Sequence, residues 1–198
     1  MPAKLQRHAL GLTFVEQSGM ARAAHALVDD RRVWLIDPFE DEQALAAAAE
    51  LGTPAGVLQL LDRHNRDCAA IAERLGVSLL RLPVNTAGAP LQAISLISNF
   101  GWHEVALWWP AKRALVVAEA LGTAPAFALG RRVGVHPMLR LTPPSKQLER
   151  FAPQYLLVGH GEAIESDADQ AIREALEHSR RDLPRLLTSI PKLLRGGG

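Results

Sequence analysis

Val57-Leu-Gln-Leu-Leu-Asp62-Arg-His64-Asn-Arg66-Asp67-Cys68 passes from a buried apolar strand directly into a polar cluster. The strand is expected over 56–61. The apolar spacing of Cys68, Ile71, Ala72 and Leu75 predicts a helix over 66–75 that stops at Gly76. The same alternation continues on both sides. Upstream, the apolar run 33–36 reads as a strand ended by Asp37-Pro38, because Pro38 pushes its predecessor out of helical geometry. An Ala-, Glu- and Leu-rich helix follows over 41–51, with Gly52 as its stop. Downstream, 77–82 is a third strand ended by Pro83. Strand–helix–strand–helix–strand in this order predicts parallel pairing with helices packed on the sheet.

Beyond residue 100 the pattern changes. The apolar runs 104–109 and 114–118, joined by Pro110-Ala-Lys-Arg113, predict a β-hairpin in a second sheet. The Gly- and Pro-rich segment 122–144 reads as irregular, and 145–151 as a short helix. A last strand over 154–158 leads into Gly159-His160-Gly161. The closing helix starts near Ser166, a suitable N-cap, with Asp167 and Asp169 at its positive end, and runs to His178.

The bulk properties narrow the function classes. At 198 residues, 48% hydrophobic and 22% charged, the chain has enough apolar surface for one domain over 1–198, with a tail over 188–198. A formal net charge of +1 supplies no field to draw in nucleic acid or an acidic membrane, so neither is an expected partner. The basic residues Arg180, Arg181, Arg185, Lys192 and Arg195 near the C-terminus read first as a solvated face. Cys68 is the single cysteine, so no intrachain disulfide exists. With no signal-like N-terminus and no apolar run of about 20 residues, a cytoplasmic location is expected.

Four strand ends carry groups able to do chemistry, where open α/β sheets bind ligands. The cluster 62–68 offers Asp62, His64, Asp67 and Cys68, all possible metal ligands. Glu119 ends the hairpin. Gly159 and Gly161 let the backbone turn sharply around His160 and are expected to leave its imidazole exposed. Asp37 tips the strand 33–36. A plain alternative for 62–68 is helix capping and solvation. Cys68 lies near a helix N-terminus, which favours a thiolate nucleophile with His64 or His160 as base. Its place on the apolar stripe favours a buried, inert thiol. The aromatic residues Phe100, Trp102, Trp108 and Trp109 either line a pocket or, the preferred reading, pack the core and sheet.

Taken in order, these stretches resemble the metallo-β-lactamase superfamily. His25-Ala-Leu-Val28 with Val33-Trp-Leu-Ile-Asp-Pro38 is similar to its opening hairpin. Residues 57–67 are similar to the strand and loop carrying His-x-His-x-Asp-His, 106–121 to the hairpin ending in Gly-Asp, and 156–161 to the closing Gly-His-Gly turn. The resemblance implies an αββα sandwich, two mixed β-sheets flanked by helices. It also implies a candidate pocket of Asp62, His64, Arg66, Asp67, Glu119 and His160. The ligands carry over incompletely. Asp62 stands in place of the first histidine, Arg66 in place of the aspartate and Asp67 in place of the last histidine. Ala118-Glu119 replaces Gly-Asp. The family's middle histidine has no counterpart. His103 is the nearest imidazole, and it starts a strand, which favours a structural role.

Arg66 is always charged and cannot ligate a metal. It is expected to pair with Asp67, Asp62 or Glu119 and so replace the charge of an ion. On this reading no cofactor is expected, and the chain is a metal-free binder of a small molecule or a protein partner. The alternative is a metal-dependent hydrolase with a reduced, oxygen-rich single-metal site. That site would hold zinc, iron or manganese through His64, Asp67, Glu119 and His160.

Overall fold

The structure, a computed structural model, describes residues 1–186 apart from 18, 65, 82–85, 87 and 100. A six-stranded sheet is built from β1 (Lys4–His8), β2 (Gly11–Val15), β3 (Ala23–Asp29), β4 (Arg32–Ile36), β5 (Thr53–Leu58) and β6 (Leu79–Leu80), in that order. β1 to β4 are antiparallel neighbours, and β4, β5 and β6 are parallel. The parallel pairs are connected by α1 (Glu42–Ala49) and α2 (Cys68–Leu75). A second sheet has the order β12-β9-β8-β7, from β7 (Gln92–Asn99), β8 (Trp102–Trp109), β9 (Ala114–Val117) and β12 (Tyr155–Val158). Between β9 and β12 lie a two-stranded ribbon of β10 (Leu121–Gly122) and β11 (Gly134–Val135) and the single-turn helices α3 (Pro125–Ala128) and α4 (Ser145–Leu148). α5 (Ala168–His178) closes the described chain.

Strand alternation explains the layers. In β4, Val33 and Leu35 pack against Ala47, Ala48 and Ile71 of α1 and α2. Trp34 and Ile36 point the other way, into the space shared with Leu107, Val116 and Leu157 of the second sheet. α5 puts Ala171, Ile172 and Ala175 into that same large cluster. The result is a mixed α/β architecture of two sheets flanked by helices, as expected from the sequence.

Several boundaries differ from the sequence reading. β5 ends at Leu58, and residues 60–62 cross over to pair with β8, with Val105 N donating to Leu60 O and Asp62 N to His103 O. The stretch 59–62 therefore stitches one sheet to the other. The third parallel strand shortens to two residues. α5 begins at Ala168 after Asp167, so Ser166 is not its cap. Trp102 and Trp109 are buried in the core and Trp108 packs on Phe151, whereas Phe100 falls outside the described residues. Arg181 and Arg185 pair with Glu177 and Asp182. Lys192, Arg195 and the expected tail 188–198 also fall outside the described residues. Among the described residues no helix is long and apolar enough to cross a membrane.

Arg66 ties the sheet ends together. Its guanidinium donates to the carbonyls of Ala23 (2.7 Å), Asp37 (2.8 Å) and Gly159 (3.3 Å), at the start of β3 and just past the ends of β4 and β12. The expected partners Asp62, Asp67 and Glu119 are not its partners. Backbone oxygens are: the two sheets converge here, and besides Arg66 the Gly159 carbonyl also accepts the N–H of Ala23 at 2.7 Å. Arg66→Ala removes the guanidinium donor from the buried Ala23 and Asp37 carbonyls and one of two donors from Gly159 O. A loss of about 3 kcal/mol is expected, or roughly 6–12 °C in melting temperature for a chain of this length. An unchanged thermal melt would overturn this role.

Candidate metal centre

Glu119 is the hub of the site, and its backbone is held from below. Glu104 of β8 is fully buried, and its Oε1 accepts the N–H groups of Ala118, Glu119 and Ala120, each at 3.0 Å. Its Oε2 accepts Trp102 Nε1–H at 3.1 Å. Burial pushes the Glu104 carboxyl pKa up, and these N–H donors pull it back. The turn after β9 is thus wrapped around a carboxylate, and the Glu119 side chain projects from a fixed backbone. Sequence reasoning missed Glu104, since an acidic residue inside an apolar run gives no sign of whom it faces.

The two oxygens of Glu119 face different company. Oε1 lies 3.3 Å from His64 Nε2 and 3.8 Å from His160 Nε2. Oε2 lies 3.2 Å from an Arg63 guanidinium nitrogen and 3.9 Å from His136 Nε2. Burial alone would raise the Glu119 pKa. The His160 and His64 imidazoles, followed by the charge of His136, overcome it and hold the carboxyl far below its ordinary value.

Each imidazole is oriented from behind. His64 Nδ1 is 3.0 Å from Asp37 Oδ2, which can only accept, so Nδ1 carries a proton and Nε2 is turned toward Glu119. His160 Nδ1 likewise donates to Met20 O at 3.0 Å. Burial would lower the His64 pKa, but its hydrogen bonds to Asp37 and Glu119 prevail and raise it. His136 is the third imidazole and had no signal in the sequence, lying in the Gly- and Pro-rich segment. Burial, then His160 and Arg63, push its pKa down to about 4 against the pull of Glu119.

Of the residues singled out in the sequence, the structure brings His64, Glu119 and His160 together. Their ligand atoms lie within 4.8 Å of one another. Asp62 faces away, accepting from His103 N and paired with His103 Nδ1, both at 3.1 Å. Asp67 accepts from Glu40 N at 2.7 Å, on the α1 side. Arg66 lies beneath the site. Asp37 stands behind His64, and Cys68 is fully buried, its thiol pushed by desolvation up to about 12, which rules out a thiolate nucleophile at neutral pH. His160 is buried too, contrary to the exposed imidazole expected. Its glycines serve close approach, because a Cβ on Gly159 would lie 2.1 Å from Ala118 O, and Gly161 has φ +101° beside Thr123.

Two nitrogens and one oxygen fit a single divalent ion. Ligands 2.0–2.1 Å from a tetrahedral metal stand about 3.3 Å apart; the His64–Glu119 separation equals this and the His160–Glu119 separation, 3.8 Å, is wider, while both histidines have their second nitrogen engaged, as metal-bound imidazoles do. With Asp62 and Asp67 turned away, the group is nitrogen-rich, not oxygen-rich.

No family profile and no curated protein matches the chain. Solved structures do. The metallo-β-lactamase FIM-1 from Pseudomonas aeruginosa in its mono-zinc form superposes with a TM-score of 0.65 at 10% identity, over 93% of this chain and 96% of that one. DIM-1 metallo-β-lactamase gives 0.64 at 12%, over 91% and 96%. The apo chemotaxis sensor ODP from T. denticola gives 0.50 at 15%, over 90% and 93%. The chain has the metallo-β-lactamase fold. His64, Glu119 and His160 converge near the ends of β5, β9 and β12, and Arg66 turns its charge to the backbone.

His25 of β3 lies close to this centre and is fully buried, with Nδ1 2.9 Å from Thr13 Oγ1. Burial and the neighbouring His8 push its pKa down to about 3. A folded-state pKa below the unfolded value of 6.5 stabilises the fold above pH 6.5, and that contribution is lost as pH falls toward 3. The expected slope is about 1.4 kcal/mol per pH unit across that window. Denaturant unfolding at pH 4, 5 and 6 should show His25→Asn flatter than the parent by that amount. Equal slopes would exclude His25 as the source.

Proposed function

We propose that the chain is a metal-dependent hydrolase built on one divalent ion held by His64, Glu119 and His160. The observation that carries this reading is the convergence of three ligand atoms within 4.8 Å. Two histidines and one glutamate are also the protein ligands of several mononuclear hydrolytic zinc sites. When bound, such an ion supplies Lewis acidity toward the bond to be cleaved and acidifies water near neutral pH.

The chain's own groups do the rest. Asp37 and Met20 O hold the two imidazoles with Nε2 inward. Glu119 contributes the negative charge, on a backbone pinned by Glu104. Phe127 stacks on the His160 ring, with centroids 5.0 Å apart, and Trp102 meets His136 edge-on. One ion is favoured over two because Asp62 and Asp67 are engaged elsewhere and Arg66 brings a fixed cation near the centre. Imidazole ligands favour zinc or iron over manganese. A buried thiol with a high pKa suits a reducing compartment, and we place the protein in the cytoplasm.

A metal-free binder of a small molecule or a protein partner is the second reading. It is favoured by the Arg63–Glu119 ion pair, which balances the carboxylate without an ion. Zinc titration by calorimetry separates the two. The expected result is one ion per chain. His64→Ala and His160→Ala should each weaken zinc binding at least about 100-fold, and Asp37→Asn roughly 10–100-fold. Asp62→Ala and Asp67→Ala should leave it unchanged. No uptake by the parent protein would leave the metal-free reading.

A further inference from the structure

β7 carries one residue more than its partner. Its pairing with β8 steps from Ser95–Val105 to Ile97–Glu104, so Leu96 is a bulge with no residue opposite. Past the bulge, Ser98 stands opposite His103. Directly opposed residues share a face of the sheet. Ser95 and Ser98, three apart, therefore both face the side of Val105 and His103, where an unbulged strand would turn them to opposite sides. On the other edge of β8, Leu61 bridges Glu104, which sets Asp62 opposite His103. Asp62, His103 and Ser98 thus form one row across three neighbouring segments. The middle imidazole is oriented as a base. Asp62 Oδ2 accepts both the backbone N–H and the Nδ1–H of His103, each at 3.1 Å. The neutral ring therefore carries its proton on Nδ1 and leaves Nε2 bare on its far side. No hydrogen bond to a described residue engages Nε2 or Ser98 Oγ. The row opens into a cavity of about 420 Å³ that Ser95, Ile97 and Val105 also line, and no described lysine or arginine lines it.

We propose that Ser98, His103 and Asp62 make a second site, independent of any metal, that takes acyl groups from small uncharged esters. Nucleophile, base and orienting acid stand in that order, an arrangement recognised by geometry and role. Opposed Cβ atoms lie about 4.5–5.5 Å apart, a gap that Ser98 Oγ closes toward the ring by rotation about χ1. Ser98 Oγ adds to the ester carbonyl carbon and its proton passes to His103 Nε2. The ester C–O bond then breaks, and the leaving alkoxide takes that proton. Water, deprotonated by the same nitrogen, adds to the acyl carbon, and the acid leaves as Ser98 recovers its proton. Asp62 is a positioning residue, holding the tautomer and offsetting the imidazolium charge. Ser95, brought to the same face by the bulge, offers its hydroxyl to the developing oxyanion. Ile97 and Val105 give an apolar floor, and the Asp62 carboxylate, with no cation beside it in the cavity, disfavours anionic esters.

The test uses the full chain, treated with a chelator, and p-nitrophenyl acetate as probe. The expected result is a burst of p-nitrophenolate and, in the peptide map of the quenched protein, one acetyl group on Ser98. Ser98→Ala, a small change on an exposed strand position, should remove both with the thermal melt unchanged. His103→Ala should slow the burst at least about 100-fold, and added imidazole should restore part of it, which a merely structural role would not allow. Asp62→Asn should slow acylation at least about tenfold with half-saturation unchanged. Zinc added back should leave the burst as it was, so this site and the metal reading stand or fall separately. Acetyl groups on lysines alone, a burst that survives Ser98→Ala, a burst lost with the chelator, or no rescue by imidazole would each overturn the proposal.

Discussion

Arg66 is a cation surrounded by carbonyl oxygens, and both sheets depend on it. Ala23 opens β3, Asp37 follows β4 and Gly159 follows β12, so one guanidinium fixes three strand ends from two sheets. Two of these positions bear directly on the site. Asp37 is the acceptor behind His64, and Gly159 precedes His160. The planar fork sets the spacing between the two imidazoles through backbone it touches, without entering the site. The donors come from two separate guanidinium nitrogens, a spread that the single nitrogen of a lysine does not have. The cost is a buried cation with no carboxylate partner of its own. Carbonyl dipoles offset it, and burial lowers the guanidinium pKa from its ordinary value.

Glu104 does for Glu119 what Arg66 does for the histidines. An acid inside β8 gathers three successive N–H groups onto one oxygen, an anion nest turned inward. Arg66 and Glu104 are complementary solutions to one problem. Where strands end, backbone groups lose their ladder partners, and in a buried place each must find another. Here the Ala23 and Asp37 carbonyls go to a buried guanidinium and the amides of residues 118–120 to one buried carboxyl oxygen. The functional side chains Asp37, Glu119 and His160 all belong to, or adjoin, residues pinned in this way.

The architecture was legible where periodicity is strong. Residues 33–36 announce a strand buried on both faces, and the stripe Cys68, Ile71, Ala72 announces a helix on the sheet. His64, Glu119 and His160 were legible because each follows an apolar run and points where a strand stops. The directions of Asp62 and Asp67 were not. Asp62 N–H bonds β8 and its carboxylate turns to His103 on that strand, away from Glu119. Spacing cannot reveal that crossing from one sheet to the other. The partners of Arg66 were hidden for a simpler reason, since backbone acceptors have no letter in the sequence. His136 was hidden because it sits in a segment whose turns are set by tertiary contacts, with neither period nor motif to flag it.

The identity of the atom behind each imidazole settles what its front can do. Asp37 Oδ2 and Met20 O are acceptors, so His64 and His160 carry a proton on Nδ1 and turn Nε2 toward Glu119. Met138 N is a donor, so His136 turns a proton inward. Three residues of one type converge on one carboxylate, and their roles are divided by backbone and carboxylate partners some distance from the reacting position. Exchanging a carbonyl for an amide behind one ring would convert a ligand into a donor with no change in the ring itself. That division sets His64 and His160 on one oxygen of Glu119 and Arg63 and His136 on the other.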